Sequence, residues 1–148
     1  MSAFSAWFAI AALLLASTSS AGADQPAEIR ARLHDVATAL TDRNPAGAMT
    51  PFSKSLPEYE RLRRYFDGLT EAFSIVNEVD VLDEQDTETA TVARIRWALT
   101  LSNPQTDLST HRSAEIDVRF AREKGKWKIV AFAPIDLFDP AQALQPSQ

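Results

Sequence analysis

The sequence predicts an α+β domain in which an antiparallel sheet of about four strands carries its N-terminal helices on one face. Three observations lead there. Apolar residues recur at helical spacing up to Leu69, the period changes to two from Phe73 onward, and the two-period runs are joined by short turn-rich segments. Helices followed by hairpin-linked strands call for antiparallel pairing, not the strand-helix alternation of a parallel sheet.

The first segment stands apart. The run FSAWFAIAALLLA, Phe4 to Ala16, is apolar but for Ser5 and leads through STSS to Ala21-Gly22-Ala23. An apolar core followed by a small-x-small site is the order of a secretory signal peptide, and the run is short for a span of about 20 residues. The expectation is a signal peptide over 1–23, a domain over 24–138 and a polar tail over 139–148 (DPAQALQPSQ). Export makes the mature protein periplasmic or secreted, with no membrane attachment after cleavage.

Asp24 and Pro26 open the first helix, where Ile29, Leu33, Val36 and Leu40 draw one apolar stripe that runs to about Arg43. Asn44-Pro45, Gly47 and Pro51 interrupt it, leaving Ala48, Met49 and Phe52 to form a short helical turn. Ser55-Leu56-Pro57-Glu58 has the S-x-x-E form of a capping box. The helix it opens buries Tyr59, Leu62, Phe66 and Leu69 and leaves Glu60, Arg61, Arg63 and Arg64 facing or flanking water.

Strand one sets Phe73, Ile75, Val79 and Val81 on one face, with Asn77 as a polar intruder, against Ser74, Val76, Glu78 and Asp80. The acidic stretch from Asp83 to Glu88 then turns the chain. Strand two, Thr89 to Leu101, points Ala93, Ile95, Trp97, Leu99 and Leu101 one way and Arg94 and Arg96 the other. A loop from Ser102 to Thr110 carries the turn signal Asn103-Pro104. Strand three alternates Ala114, Ile116, Val118 and Phe120 with Ser113, Glu115, Asp117 and Arg119. Glu123-Lys124-Gly125-Lys126 turns into a last strand, Trp127 to Phe132, and Ile135 to Phe138 close the domain.

Composition narrows the function. Fifteen Lys and Arg against 20 Asp and Glu give a net charge of -5, so no basic field invites nucleic acid. The absence of cysteine excludes a disulfide framework, a thiol nucleophile and thiolate metal ligands. His34 and His111 have no carboxylate or nucleophile at a diagnostic spacing, and Asp80, Asp83, Glu84 and Asp86 lack the glycine and ligand order of a calcium loop. No metal and no cofactor is expected.

The segments LRRYFDGLTEAFSI, ETATVARIRWALTL and REKGKWKIVAFAPIDLF, in this order, resemble the nuclear transport factor 2-like superfamily, in its exported, SnoaL-like bacterial branch. The most specific stretch is Gly125 to Val130 followed by Pro134 to Phe138, and the resemblance covers about residues 26 to 138. It implies a curved sheet wrapped around helices into a cone with a pocket at its open end, often dimerised through the sheet. It implies no single activity, because the superfamily spans ketosteroid isomerases, polyketide cyclases, dehydratases and binding proteins.

In such a cone the expected pocket lining is Tyr59, Phe66, Phe73, Asn77, Thr91, Trp97, Phe120 and Trp127. Proton transfer on a carbonyl compound needs an inward base, and Asn and Tyr do not supply one. Asp136 is the one acid with a view of the cone, and a structural hydrogen bond is the commoner fate of such a residue. Arg94 and Arg96 should stand beside Glu115 and Asp117 on a solvated outer face or on a polar homodimer interface, which Val130 and Phe132 extend. Three functions follow: an exported module that binds a small apolar ligand or a partner, a ketosteroid-isomerase or SnoaL-like enzyme, and a structural homodimer with a filled cone. The missing base favours the first and third. N-terminal sequencing of the exported protein should read Asp24-Gln25-Pro26, and full-length chain in the membrane fraction would remove the export expectation.

Overall fold

The computed structural model describes residues 25–143; the expected signal segment with Asp24, and the tail from 144 onward, lie outside the described residues. Helix α1 covers 25–41 and buries the stripe Ile29, Leu33, Val36 and Leu40. Helix α2, Pro45–Met49, starts with Pro at its first position and is capped by Asn44, whose Oδ1 accepts from the Gly47 amide at 3.0 Å. Helix α3, Tyr59–Ala72, buries Leu62, Phe66, Leu69 and Thr70, with Tyr59 only half-buried. Among the described residues no helix is long and apolar enough to cross a membrane.

The expected capping box is not made. Ser55 Oγ lies 2.8 Å from Ser53 Oγ, and Glu58 precedes α3 without a side-chain cap bond. The reason is local: the Tyr59 amide donates to the Leu56 carbonyl at 3.1 Å, so residues 56–59 close a turn where the box would need extended backbone.

Four strands follow, β1 (Ser74–Asp86), β2 (Ala90–Ser102), β3 (Ser109–Glu123) and β4 (Lys126–Ala133), in an antiparallel sheet of order β1-β2-β3-β4. The acidic stretch does not turn the chain: β1 runs through it, paired with β2 as far as Asp86 opposite Thr91. Backbone pairing outweighs the weak strand preference of Asp and Glu. The turn is confined to 87–89, where the Thr87 hydroxyl donates to the Ala90 carbonyl and accepts from the Ala90 amide, both at 3.1 Å. A bulge at Leu82, which has no partner between the Val81–Ile95 and Asp83–Arg94 pairs, shifts the parity of everything after it.

Between β2 and β3 the expected register holds. Arg94 faces Asp117 and Arg96 faces Glu115 on the exposed side, while Ile95, Trp97, Ile116 and Phe120 are buried against the helices. Lys124 (φ 53) and Gly125 (φ 80) both adopt left-handed backbone, the requirement of a two-residue type I′ hairpin, and glycine takes the second position without strain. A second bulge, at Val130, separates the Arg119–Ala131 pair from the Phe120–Ile129 pair. It turns both Ile129 and Phe132 inward, so Phe132 is core and does not extend the outer face.

The C-terminal segment packs onto the domain as far as it is described. A 3-10 turn, Asp136–Phe138, and helix α4, Pro140–Ala143, are held by Arg112, which donates to the Asp136 carbonyl at 3.0 Å, to the Asp139 carbonyl at 3.3 Å and to the Gln142 side chain. Pro140 seats on Gly68 of α3, where an added Cβ would come within 2.7 Å of the proline ring. Inside, Phe66 and Trp97 pack edge-to-face on Phe138 at centroid distances of 5.2 and 5.4 Å, and Phe52 packs on Phe132 at 5.1 Å. Phe66→Ala should therefore lower stability by about 3–5 kcal/mol in denaturant melts, as a large truncation at a fully buried site; a loss under about 1 kcal/mol would show that the rings do not depend on it.

Candidate functional site

Of the residues expected to line a pocket, Asn77 borders a groove between α1 and β1, and the others lie elsewhere. Phe66, Trp97 and Phe120 are fully buried, and Phe73 and Trp127 nearly so. Trp127 lies under the Arg122 guanidinium, 4.8 Å from the ring centroid, with its indole nitrogen buried and, among the described residues, without a hydrogen-bond partner. The Thr91 hydroxyl donates to Asp86 Oδ1 at 2.6 Å and accepts from Gln25 Nε2 at 2.9 Å. Tyr59 borders a separate cleft at the start of α3, beside Lys54 and Arg61. Asp136 is exposed, 3.7 Å from Arg61, and looks away from the sheet interior.

Asn77 is both a satisfied polar group and a groove residue. Its Oδ1 accepts from the Trp97 indole at 2.9 Å, and its Nδ2 donates to the Ala37 carbonyl at 3.0 Å and to Thr41 Oγ1 at 3.1 Å. These bonds tie α1 to the edge strand β1. A groove of about 650 Å³ runs along that seam. Leu33 and Ala37 form its helix wall, Val79 and Val81 its strand wall, and Arg30, His34, Thr38, Thr41 and Asp80 supply polar groups, Asp80 from the rim. His34 Nε2 lies 3.3 Å from Thr38 Oγ1.

This site escaped the sequence reading. Arg30, His34 and Thr38, and likewise Leu33, Ala37 and Thr41, are four residues apart, so α1 presents two adjacent rows to the groove. The spacing was legible; that these rows flank a strand edge was not.

At the far end of β1 the Leu82 bulge sets Glu84 and Asp86 opposite Ala93 and Thr91, on the helix side of the sheet. Burial, then a hydrogen bond with the neighbouring Asp86 carboxyl, hold the Glu84 pKa above its ordinary value; Arg30, 3.7 Å away, opposes the shift. Among the described residues no three His, Asp or Glu side chains converge closely enough to hold a metal ion.

No family model matches the sequence, and no curated protein does. Solved structures do. A scytalone dehydratase-like protein from Novosphingobium aromaticivorans superposes with a TM-score of 0.67 at 11% identity, over 77% of this chain and 85% of the other. A nuclear transport factor 2-like superfamily protein from Salmonella enterica serovar Typhimurium gives 0.57 at 14% identity, over 71% and 85%. The chain has the nuclear transport factor 2-like fold. A ketosteroid isomerase-like protein from Erwinia carotovora atroseptica also matches, with a TM-score of 0.58 at 14% identity over 72% and 91%. Identities this low carry the fold and not the chemistry.

In this nuclear transport factor 2-like sheet the outer face is a charge ladder. Arg96 stands between Asp80 and Glu115, and Arg94 Nε donates to Asp117 Oδ1 at 3.2 Å, all exposed. Glu84 offers the sharper test. A carboxyl with a raised folded pKa adds stability that is fully present below its unfolded value of about 4.3 and is lost as pH rises through the folded value. The Arg30 pair it would forfeit is long, at 3.7 Å, and exposed on the arginine side, so it is worth about 0–1 kcal/mol. Glu84→Gln should therefore gain stability over the parent as pH rises from 4 to 7, measured by denaturant melts across that range. A pH-independent difference would mean that the surroundings of Glu84 do not raise its pKa.

Proposed function

We propose that the chain is an exported binding module of the nuclear transport factor 2-like fold, taking a small apolar ligand or a partner segment in the α1–β1 groove without transforming it. The observation that carries this reading is where free space lies. Phe66, Trp97, Phe132 and Phe138 occupy the interior that a cone pocket would use, and the groove opens instead along the sheet edge, where Leu33, Ala37, Val79 and Val81 give an apolar floor set among polar side chains that can orient a ligand. The apolar run from Phe4 to Ala16 and the small-residue site at Ala23 support export.

A second reading, proton transfer on a carbonyl compound, is favoured by one observation: an imidazole, His34, and a carboxylate, Asp80, both line the groove. Turnover of a β,γ-unsaturated ketone that disappears in His34→Gln would promote it. The binding reading is tested by titration with an anilinonaphthalene sulfonate dye, read through quenching of Trp97, whose indole is bonded to Asn77 in the groove. Ala37→Phe fills the helix wall and should weaken the dye by about tenfold or more. Equal binding by the parent and a folded Ala37→Phe variant would remove the groove as the site.

A further inference from the structure

The two edges of the sheet are treated differently. At β4 the Ile129 amide donates to the Pro51 carbonyl at 2.9 Å and the Ser53 amide to the Ile129 carbonyl at 2.8 Å, so a passing segment covers that edge. Among the described residues no backbone hydrogen bond from outside the sheet reaches β1, which leaves an open edge of 13 residues. Val76 and Leu82 on this strand are large apolar side chains left 59% and 42% exposed. Between them Glu78 and Asp80 are exposed, and among the described residues neither forms an ion pair. The opposite side of the same strand gives Val79 and Val81 to the groove.

We propose that β1 is a docking edge for an extended segment of a partner protein that alternates apolar residues with Lys or Arg and joins the sheet as a fifth strand. The inference rests on the groove being the binding site. A strand sends successive side chains to opposite faces, so one set of the partner's residues enters the groove beside Val79 and Val81 while the other lies along Glu78 and Asp80, with Asp80 at the groove rim where the two rows meet. Opposite charges across neighbouring strands attract and like charges repel, which makes the second set basic. The same rule disfavours a second copy of this chain, since antiparallel pairing of β1 with itself about Val79 sets the Glu78 and Asp80 carboxylates against one another. The chain's own ends do not fit either, because residues 1–24 and 139–148 contain no Lys or Arg. The acidic row and the Leu82 bulge discourage neutral strands from pairing at this edge, and so act as a filter.

The test uses the mature protein and three blocked peptides of about seven residues: one alternating Val and Lys, one with Glu in place of Lys, and an N-methylated Val-Lys version without amide donors. Titration followed by NMR and amide exchange should show the Val-Lys peptide binding about tenfold or more tighter than either control. Its binding should slow exchange at amides of residues 76–81, and the pair Glu78→Lys with Asp80→Lys should reverse the charge preference. Equal binding by the N-methylated peptide would reduce the effect to charge adhesion and overturn strand addition, as would no binding at all. Peptide failure alongside dye binding that still depends on Ala37 removes only the strand partner; failure of both removes the groove as well.

Discussion

The side-chain amide of Asn77 joins three elements with one group. It accepts from Trp97 on β2 and donates to the Ala37 carbonyl and the Thr41 hydroxyl on α1, so helix, edge strand and core are held at the distance an amide can reach. The apolar stripe of α1 brings the helix to the sheet, but burial alone is non-directional and would leave its rotation and offset loosely set. A part-buried amide with its partners in place is directional, and leaving one of those partners unmet costs more than the bond itself contributes. The width of the groove at this end follows from this tether.

The other end of the helix is held by a different device. Gln25 donates to the Thr87 carbonyl and to Thr91 Oγ1, both at 2.9 Å, and Arg30 approaches Glu84. This contact exists because the Leu82 bulge redirects Glu84 toward the helix. With Asn77 meeting the helix near its end and Gln25 near its start, α1 runs antiparallel along β1, and the stretch between, lined by Leu33, Ala37, Val79 and Val81, is left free of polar ties.

The filled interior explains why the candidate site lies at the edge. Phe52, Phe66, Phe132 and Phe138 join Trp97 in edge-to-face and tilted contacts between sheet and helices. The ordered C-terminal segment adds Leu137 and Phe138 to this core, latched from β3 by Arg112. Aromatic packing fills the interior, and the open space lies at the seam beside the edge strand.

Periodicity was enough to determine the stripe of α1, the buried face of α3, the inward and outward sets of β2 and β3, and the likelihood of a partner for a lone Asn on an apolar strand face. Each of these depends on side chains a few residues apart, which the chain displays directly. Tertiary structure decided the rest. Whether Asp83 to Asp86 turn or pair was settled by the β2 backbone opposite them, and the faces of Glu84 and Phe132 by two bulges of one residue each, which invert parity without a mark in composition. Whether the cone was open depended on the summed fit of rings from α3, β2, β4 and the C-terminal turn, and the groove on how far an amide holds a helix from a strand edge. Those are distances between segments remote in sequence, and no local pattern encodes them.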